Sequence, residues 1–122
     1  MQTRDQQYAT AVYRQVSEDV GEAERKKYGS MAHKLPVLIR TAGLAQALAF
    51  VDTRGDDTHH KLLNHLAVTV GYGSGEKLLE ASRTAQLGAY MHLTQKVLQA
   101  LLWYKRYAQS VLDVDPSQED RR

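Results

Sequence analysis

The sequence contains no cysteine, and this absence excludes disulfide bonds, thiol chemistry and metal sites built on thiolates. Long apolar runs are also missing, because polar and charged side chains interrupt even residues 93–107, short of the roughly 18 apolar residues that a membrane span needs. Residues 1–7 are polar and are followed by no apolar segment typical of a secretory signal. We therefore expect a soluble, cytoplasmic protein that does not span a membrane.

Residues with branched β-carbons are scarce as well, and this scarcity disfavours a β-sheet. Ile39 is the only isoleucine, residues 68–70 form the one β-branched cluster, and Leu and Ala dominate the apolar set. With 122 residues, of which 43% are hydrophobic and 25% charged, the chain suits one folded domain. The sequence predicts an all-α fold, a compact bundle of about six helices with a long C-terminal helix. We expect a single helical domain over residues 1–115 and a flexible polar tail over residues 116–122.

The spacing of apolar residues and the positions of helix breakers place the first helices. Apolar side chains in residues 8–23 recur at spacings of one, three and four, which predicts a helix over about residues 3–28. Residues 29–30 offer a stop and a new N-cap, so the second helix begins there with a kink at Pro36, or begins at Leu35. The basic run within residues 25–27 would then lie near the end of the first helix. Cations there either contact phosphates or stabilise the helix dipole.

The remaining helices follow from the same signals. Gly43 interrupts the pattern, and the short, very apolar helix after it is expected in the core. Asp57 or Thr58 can cap the next helix, which the glycines of residues 71–75 end. Ser74 opens a further short helix. The predicted helices cover about residues 44–51, 58–70, 74–82 and 84–112.

The last helix carries two distinct faces. The face expected to point inward holds Leu87, Met91, Thr94, Leu98, Leu101, Lys105, Ala108 and Leu112, widened by Tyr90, Val97, Tyr104 and Val111. The opposite face places Trp103 between Lys96 and Arg106, on the side expected to meet water. Such an indole can stack against an RNA base, anchor a protein partner, or pack on another helix of its own domain. The face by itself leaves these three alternatives open.

Two separated motifs resemble one protein family. Residues 34–39 and 43–50 resemble its K-L-P-x-L-I and G-L-x-Q-x-L-A-F signature, and residues 94–108 match its T-x-x-x-L-x-x-L-x-W-x-K-R-x-A pattern. The family is the small helical subunit of the Cmr complex, the type III-B CRISPR RNA-guided effector. The resemblance extends over nearly the whole chain, with residues 52–75 lacking a pattern to compare.

The resemblance implies a non-catalytic subunit that stacks in several copies beside the crRNA-bearing backbone and helps bind guide and target RNA for antiviral defence. Its partners would be other Cmr subunits, further copies of itself, crRNA and target RNA, with cleavage assigned to other subunits. A body of mild positive charge agrees, since residues 1–112 hold 14 bases against 10 acids. The candidate RNA- or partner-binding residues are Lys26, Lys27, Lys34, Lys96, Trp103, Lys105 and Arg106.

Other chemistry fits the sequence less well. The acids and histidines of residues 56–65 could bind a metal, but His60 and His65 are five residues apart, whereas ligands on one helical face prefer three or four. The acids fit helix capping better. The glycine-rich residues 71–77 fall one residue short of a phosphate-binding loop, and no serine occupies a nucleophile elbow. We therefore expect no enzyme activity, metal or cofactor, and a helical protein-interaction adaptor without a nucleic-acid role is the main alternative.

Overall fold

Six α-helices and one short 3-10 helix make up the fold in a computed structural model that describes residues 1–117. The helices are α1 (Arg4–Asp19), α2 (Arg25–Ala42), α3 (Leu44–Arg54), α4 (Asp57–Thr69), α5 (Gly75–Thr84) and α6 (Leu87–Ser110), with the 3-10 helix (Glu22–Glu24) between α1 and α2. The all-α prediction and the long last helix are confirmed. No helix of the described residues is long and apolar enough to cross a membrane. Residues 118–122 of the predicted tail lie outside this description.

The boundary between the first two helices differs from the prediction. The chain leaves the helical conformation at Val20 and Gly21, and α2 then runs without interruption through Gly29 and Pro36. Gly29 is buried against the C-terminal segment, where an added Cβ atom would lie 2.7 Å from Cβ of Val114. The glycine is therefore a packing position inside a helix, not the stop that its residue type suggested.

The early start of α2 also changes where the basic residues 25–27 lie in the fold. Residues 25–27 occupy the first turn of α2, where the helix dipole disfavours cations, so the prediction that they lie near a helix C-terminus is wrong. Two of them are compensated by ion pairs instead. Arg25 bonds the carboxylate of Glu22 at 2.9 Å, and Lys27 pairs with Asp56 at the start of α4.

Side-chain caps and one glycine set the other helix ends. Thr3 caps α1 in a capping box, and Gly43 joins α2 to α3 with a φ of 93°, a conformation that favours glycine. The cap of α4 is Asp56, whose carboxylate accepts two backbone N–H groups, so the predicted caps Asp57 and Thr58 are one or two positions late.

The long helix α6 packs against both α1 and α2, and its inward face is rotated from the predicted one. Its buried residues are Leu93, Val97, Ala100, Leu101, Tyr104 and Ala108. Val97, Leu101, Tyr104 and Ala108 are buried as predicted, but Leu87 and Met91, also placed on the inward face, are 73% and 55% exposed. Both stripes of α6 are apolar, and periodicity alone does not show which of them the neighbouring helices cover.

A polar network links α1, α2 and α4 at the edge of the core. The hydroxyl of Tyr28 lies 2.7 Å from Nδ1 of His65, and Nε2 of His65 lies 3.4 Å from a carboxylate oxygen of Asp19. Burial raises the pKa of Tyr28 well above its ordinary value, so the hydroxyl remains a donor. Burial also lowers the pKa of His65, against the opposing effect of Asp19. Neutral His65 therefore accepts the hydrogen bond that Tyr28 donates.

We expect the protein to lose stability as the pH falls below about 6.5, because His65 has a lower pKa in the folded than in the unfolded chain. The unfolded chain binds more protons in this range, so the stabilisation is complete above the unfolded pKa of about 6.5 and declines below it. Urea denaturation at a series of pH values should show the decline. The variant His65→Gln should reduce it, whereas His92→Gln, at an exposed position of α6, should not. An equal pH dependence in both variants would contradict this assignment.

Candidate nucleic-acid interface

Trp103 packs partly against α1 and does not project fully into solvent. Its indole Nε1 donates a hydrogen bond of 2.9 Å to Oδ1 of Asp5, and the side-chain amide of Gln99 donates to the same oxygen at 3.3 Å. The indole ring stacks with Tyr107, with centroids 5.7 Å apart and planes 27° apart. Trp103 therefore fixes the start of α1 on α6, and what it can offer a partner is ring surface and not its N–H group.

An exposed arginine and a row of two tyrosines lie beside this indole. The guanidinium carbon of Arg106 lies 5.8 Å from the centroid of the Trp103 ring. Tyr107 in turn meets Tyr13 edge-on at 5.4 Å, and Tyr13 is 53% exposed. Trp103 and Arg106 are therefore neighbours, as predicted. Tyr107 and Tyr13, which were not among the predicted site residues, extend the aromatic surface from α6 onto α1.

The other predicted cations of α6 lie apart from the indole. The ammonium of Lys96 is 5.9 Å from the ring centroid of Tyr72, in the glycine-rich segment after α4. Lys105 is two residues from Trp103, which places it about 200° around the helix. It is partly buried and forms no ion pair within the described residues. Lys26 is exposed in the first turn of α2. The seven predicted residues therefore do not form one continuous patch.

A second cationic region is a cleft of about 200 Å³ between α2, α3 and the start of α4. Its lining includes the side chains of Lys27, Lys34, Phe50, Arg54, Asp56 and His59. Two of the predicted site residues, Lys27 and Lys34, therefore share this cleft and lie on a different part of the surface from Trp103.

The charges of the cleft do not cancel. The side-chain hydrogen bond from Lys27 and the backbone N–H groups at the start of α4 lower the pKa of Asp56 to about 2, so the Lys27–Asp56 pair is ionised and close to neutral overall. Lys34 and Arg54 are both exposed, and neither forms an ion pair with another residue of the described chain. As far as residues 1–117 are concerned, the cleft therefore presents two positive charges without a carboxylate partner.

Phe50 was missed as a member of this cleft, because the helix of residues 44–51 was expected in the core, and Arg54 was missed because it lies beyond the predicted end of that helix. Its buried positions are Leu44, Ala47, Leu48 and Val51. Phe50 lies outside that stripe and is 39% exposed, with the guanidinium carbon of Arg54 at 5.3 Å from its ring centroid. A helical projection of α3 already separates Phe50 from the buried stripe, and this was the available signal.

The acids and histidines of residues 56–65 serve the fold. Asp56 caps α4, and the ring of His65 contacts Tyr28. Among residues 1–117, no group of three or more His, Asp or Glu side chains could hold a metal ion.

The fold and these surfaces define a small all-α bundle with two separate cationic regions. The profile of a family described as CRISPR-associated protein (Cas_Cmr5) matches residues 4–111. The CRISPR system Cmr subunit Cmr5 of Thermus thermophilus is 48% identical over 113 residues, which cover 93% of this chain and 99% of that protein. The crystal structure of a CRISPR-associated Cmr5 family protein from the same organism superposes with a TM-score of 0.86 at 48% identity, covering 90% of this chain and 98% of the other. The chain belongs to the Cmr5 family, which confirms the resemblance of its motifs to the small helical Cmr subunit.

Proposed function

We propose that the protein is a non-catalytic small subunit of a type III-B CRISPR (Cmr) effector complex that functions in antiviral defence. In this proposal it stacks in several copies along the crRNA-bearing backbone and helps bind guide and target RNA. The observation that carries the proposal is its membership of the Cmr5 family over residues 4–111. Its partners are other Cmr subunits, further copies of itself, crRNA and target RNA.

The charge distribution supports RNA contact of a weak, additive kind. Exposed cations on two parts of the surface, Lys34 with Arg54 and Arg106 beside Trp103, can each reach phosphate groups. Affinity for phosphates depends on how many cations contact them together, and copies aligned on one RNA multiply a small contribution from each. A body with only a modest excess of bases suits this arrangement better than it suits an independent RNA-binding protein.

A protein-interaction adaptor without a nucleic-acid role is the second candidate, and one observation favours it. Leu87, Met91 and Leu102 are 73%, 55% and 44% exposed on α6, and their spacing places them within about 60° of one another around the helix. Exposed apolar side chains on one side of a helix are typical of protein contacts. This stripe is compatible with subunit stacking as well, so the two functions are separated by RNA binding and its salt dependence.

Reversing two charges, Lys105→Glu with Arg106→Glu, should weaken retention of target RNA by the reconstituted complex about tenfold. Each lost phosphate contact should reduce the slope of log affinity against log salt concentration by about one. The matched control is Lys77→Glu with Arg83→Glu, the same charge change at exposed positions of α5. Both variants should retain the helical circular dichroism of the parent. Equal retention and equal salt slopes in the two variants would support the adaptor and count against RNA contact by this part of α6.

A further inference from the structure

We propose that the cleft between α2 and α3 binds one unpaired nucleotide of single-stranded RNA, with its base against Phe50 and its phosphate at Lys34 and Arg54. The inference rests on the proposed function, because it assumes that the protein meets guide or target RNA. It goes beyond that function by assigning a base-stacking site to a cleft that Trp103 does not line.

The position of Phe50 is the first observation. It is the only phenylalanine of the chain, and it is 39% exposed at the cleft, although the neighbouring positions of α3 supply the core. The Arg54 guanidinium lies over its ring at 5.3 Å. Aromatic rings and guanidinium planes are the two side-chain surfaces on which unpaired RNA bases stack. The exposed ring of Phe50 therefore offers a surface for a base, with the positive charge of Arg54 beside it.

The charge of the cleft is the second observation. Lys34 and Arg54 are exposed and have no carboxylate partner among residues 1–117, whereas Asp56 is already bound by Lys27 and by backbone N–H groups of α4. A phosphodiester brings one negative charge beside each base, so a nucleotide matches both the ring and the cations. A purely apolar peptide would match the ring alone.

The size of the cleft is the third observation. Its volume of about 200 Å³ lies below the roughly 300–1,000 Å³ of pockets that hold drug-sized ligands, so it suits one flat ring and not a helix or a larger cofactor. Duplex RNA presents phosphates but keeps its base faces stacked inside the helix. The occupant is therefore a nucleotide in a single-stranded stretch.

Fluorescence anisotropy of the full chain with a labelled single-stranded oligoribonucleotide at low salt tests this site. Phe50→Leu, which keeps apolar bulk but removes the aromatic face, should weaken binding about fivefold to tenfold and leave the affinity for duplex RNA unchanged. Arg54→Gln should weaken single-strand binding more than Arg40→Gln. These two arginines both lie in the last turn of a helix, but Arg54 lines the cleft and Arg40 does not.

Ultraviolet cross-linking to an oligoribonucleotide containing 5-iodouridine gives a second readout, and the adduct should map to Phe50. Unchanged affinity of Phe50→Leu with no adduct at Phe50 would overturn the nucleotide site. If the Lys105 and Arg106 reversals still reduce RNA retention in that case, the proposed function stands without this site; if they also have no effect, both proposals fail. Binding of an acidic peptide that depends on Phe50, with RNA affinity unaffected, would reassign the cleft to a protein partner.

Discussion

Replacement of Leu101 by alanine should lower the free energy of unfolding by about 2–5 kcal/mol, a value typical of truncating a fully buried leucine. Leu101 is 0% exposed and lies on the face of α6 that packs into the bundle. The substitution removes apolar contacts and leaves a cavity that close-packed neighbours fill only in part. Urea denaturation followed by circular dichroism measures the loss.

The adjacent residue supplies the matched control. Leu102 is 44% exposed, so Leu102→Ala should cost less than about 1 kcal/mol although the chemical change and the helix are the same. The comparison tests directly how α6 is oriented about its own axis, because the two side chains point about 100° apart. Equal losses in the two variants, or a larger loss at Leu102, would contradict the observed orientation of the helix.

Gly29→Ala should also destabilise the protein, by about 1–3 kcal/mol, although alanine is the better helix former by about 1 kcal/mol. The added Cβ atom would lie 2.7 Å from Cβ of Val114. The segment that carries Val114 cannot easily move away, because Nε2 of His33 holds the Val114 carbonyl oxygen at 2.9 Å. Thermal or urea unfolding of the single variant measures the cost.

Two further variants isolate the steric cause. In a Val114→Gly background, which removes the side-chain atoms that the new methyl group would meet, Gly29→Ala should be neutral or stabilising by up to about 1 kcal/mol. Gly88→Ala in α6 should likewise be neutral or stabilising, because an added Cβ atom there meets nothing within 4 Å. If Gly29→Ala stabilises the parent protein as Gly88→Ala does, the close packing on Val114 is contradicted.

The local signals in the sequence predicted several helix ends, and the main failures have a common physical cause. The first helix begins near residue 3 and Ser74 opens a helix as predicted, and Gly43 separates two helices, because these ends depend on neighbours in the chain. Gly29 was misread because the reason for a glycine there is Val114, which is far away in the sequence. The buried face of α6 was predicted only in part for the same reason, since only the packing of α1 and α2 shows which side of a broad apolar face is covered.

The candidate site shows the same limit. The sequence correctly set Trp103 and Arg106 side by side on one helix, because helical spacing is a local property. It could not show that Asp5 binds the indole N–H or that Asp56 pairs with Lys27. It also could not show that Phe50 of α3 and Lys34 of α2 line the same cleft. That the seven predicted residues contact RNA stays a prediction, and the charge-reversal experiment tests two of them, Lys105 and Arg106.

The central position of α6 has a consequence for how the protein is made. The first two helices make their most extensive contacts with α6, which is the last of the six described helices to be synthesised. Isolated helices of this length are marginally stable in water, so α1 and α2 lack their main packing partner while the ribosome is still translating the middle of the chain. The parts of their apolar stripes that pack on α6 stay uncovered until residues 87–110 have emerged. Ribosome-bound chains stalled before residue 87 are therefore the form most exposed to aggregation and to capture by chaperones.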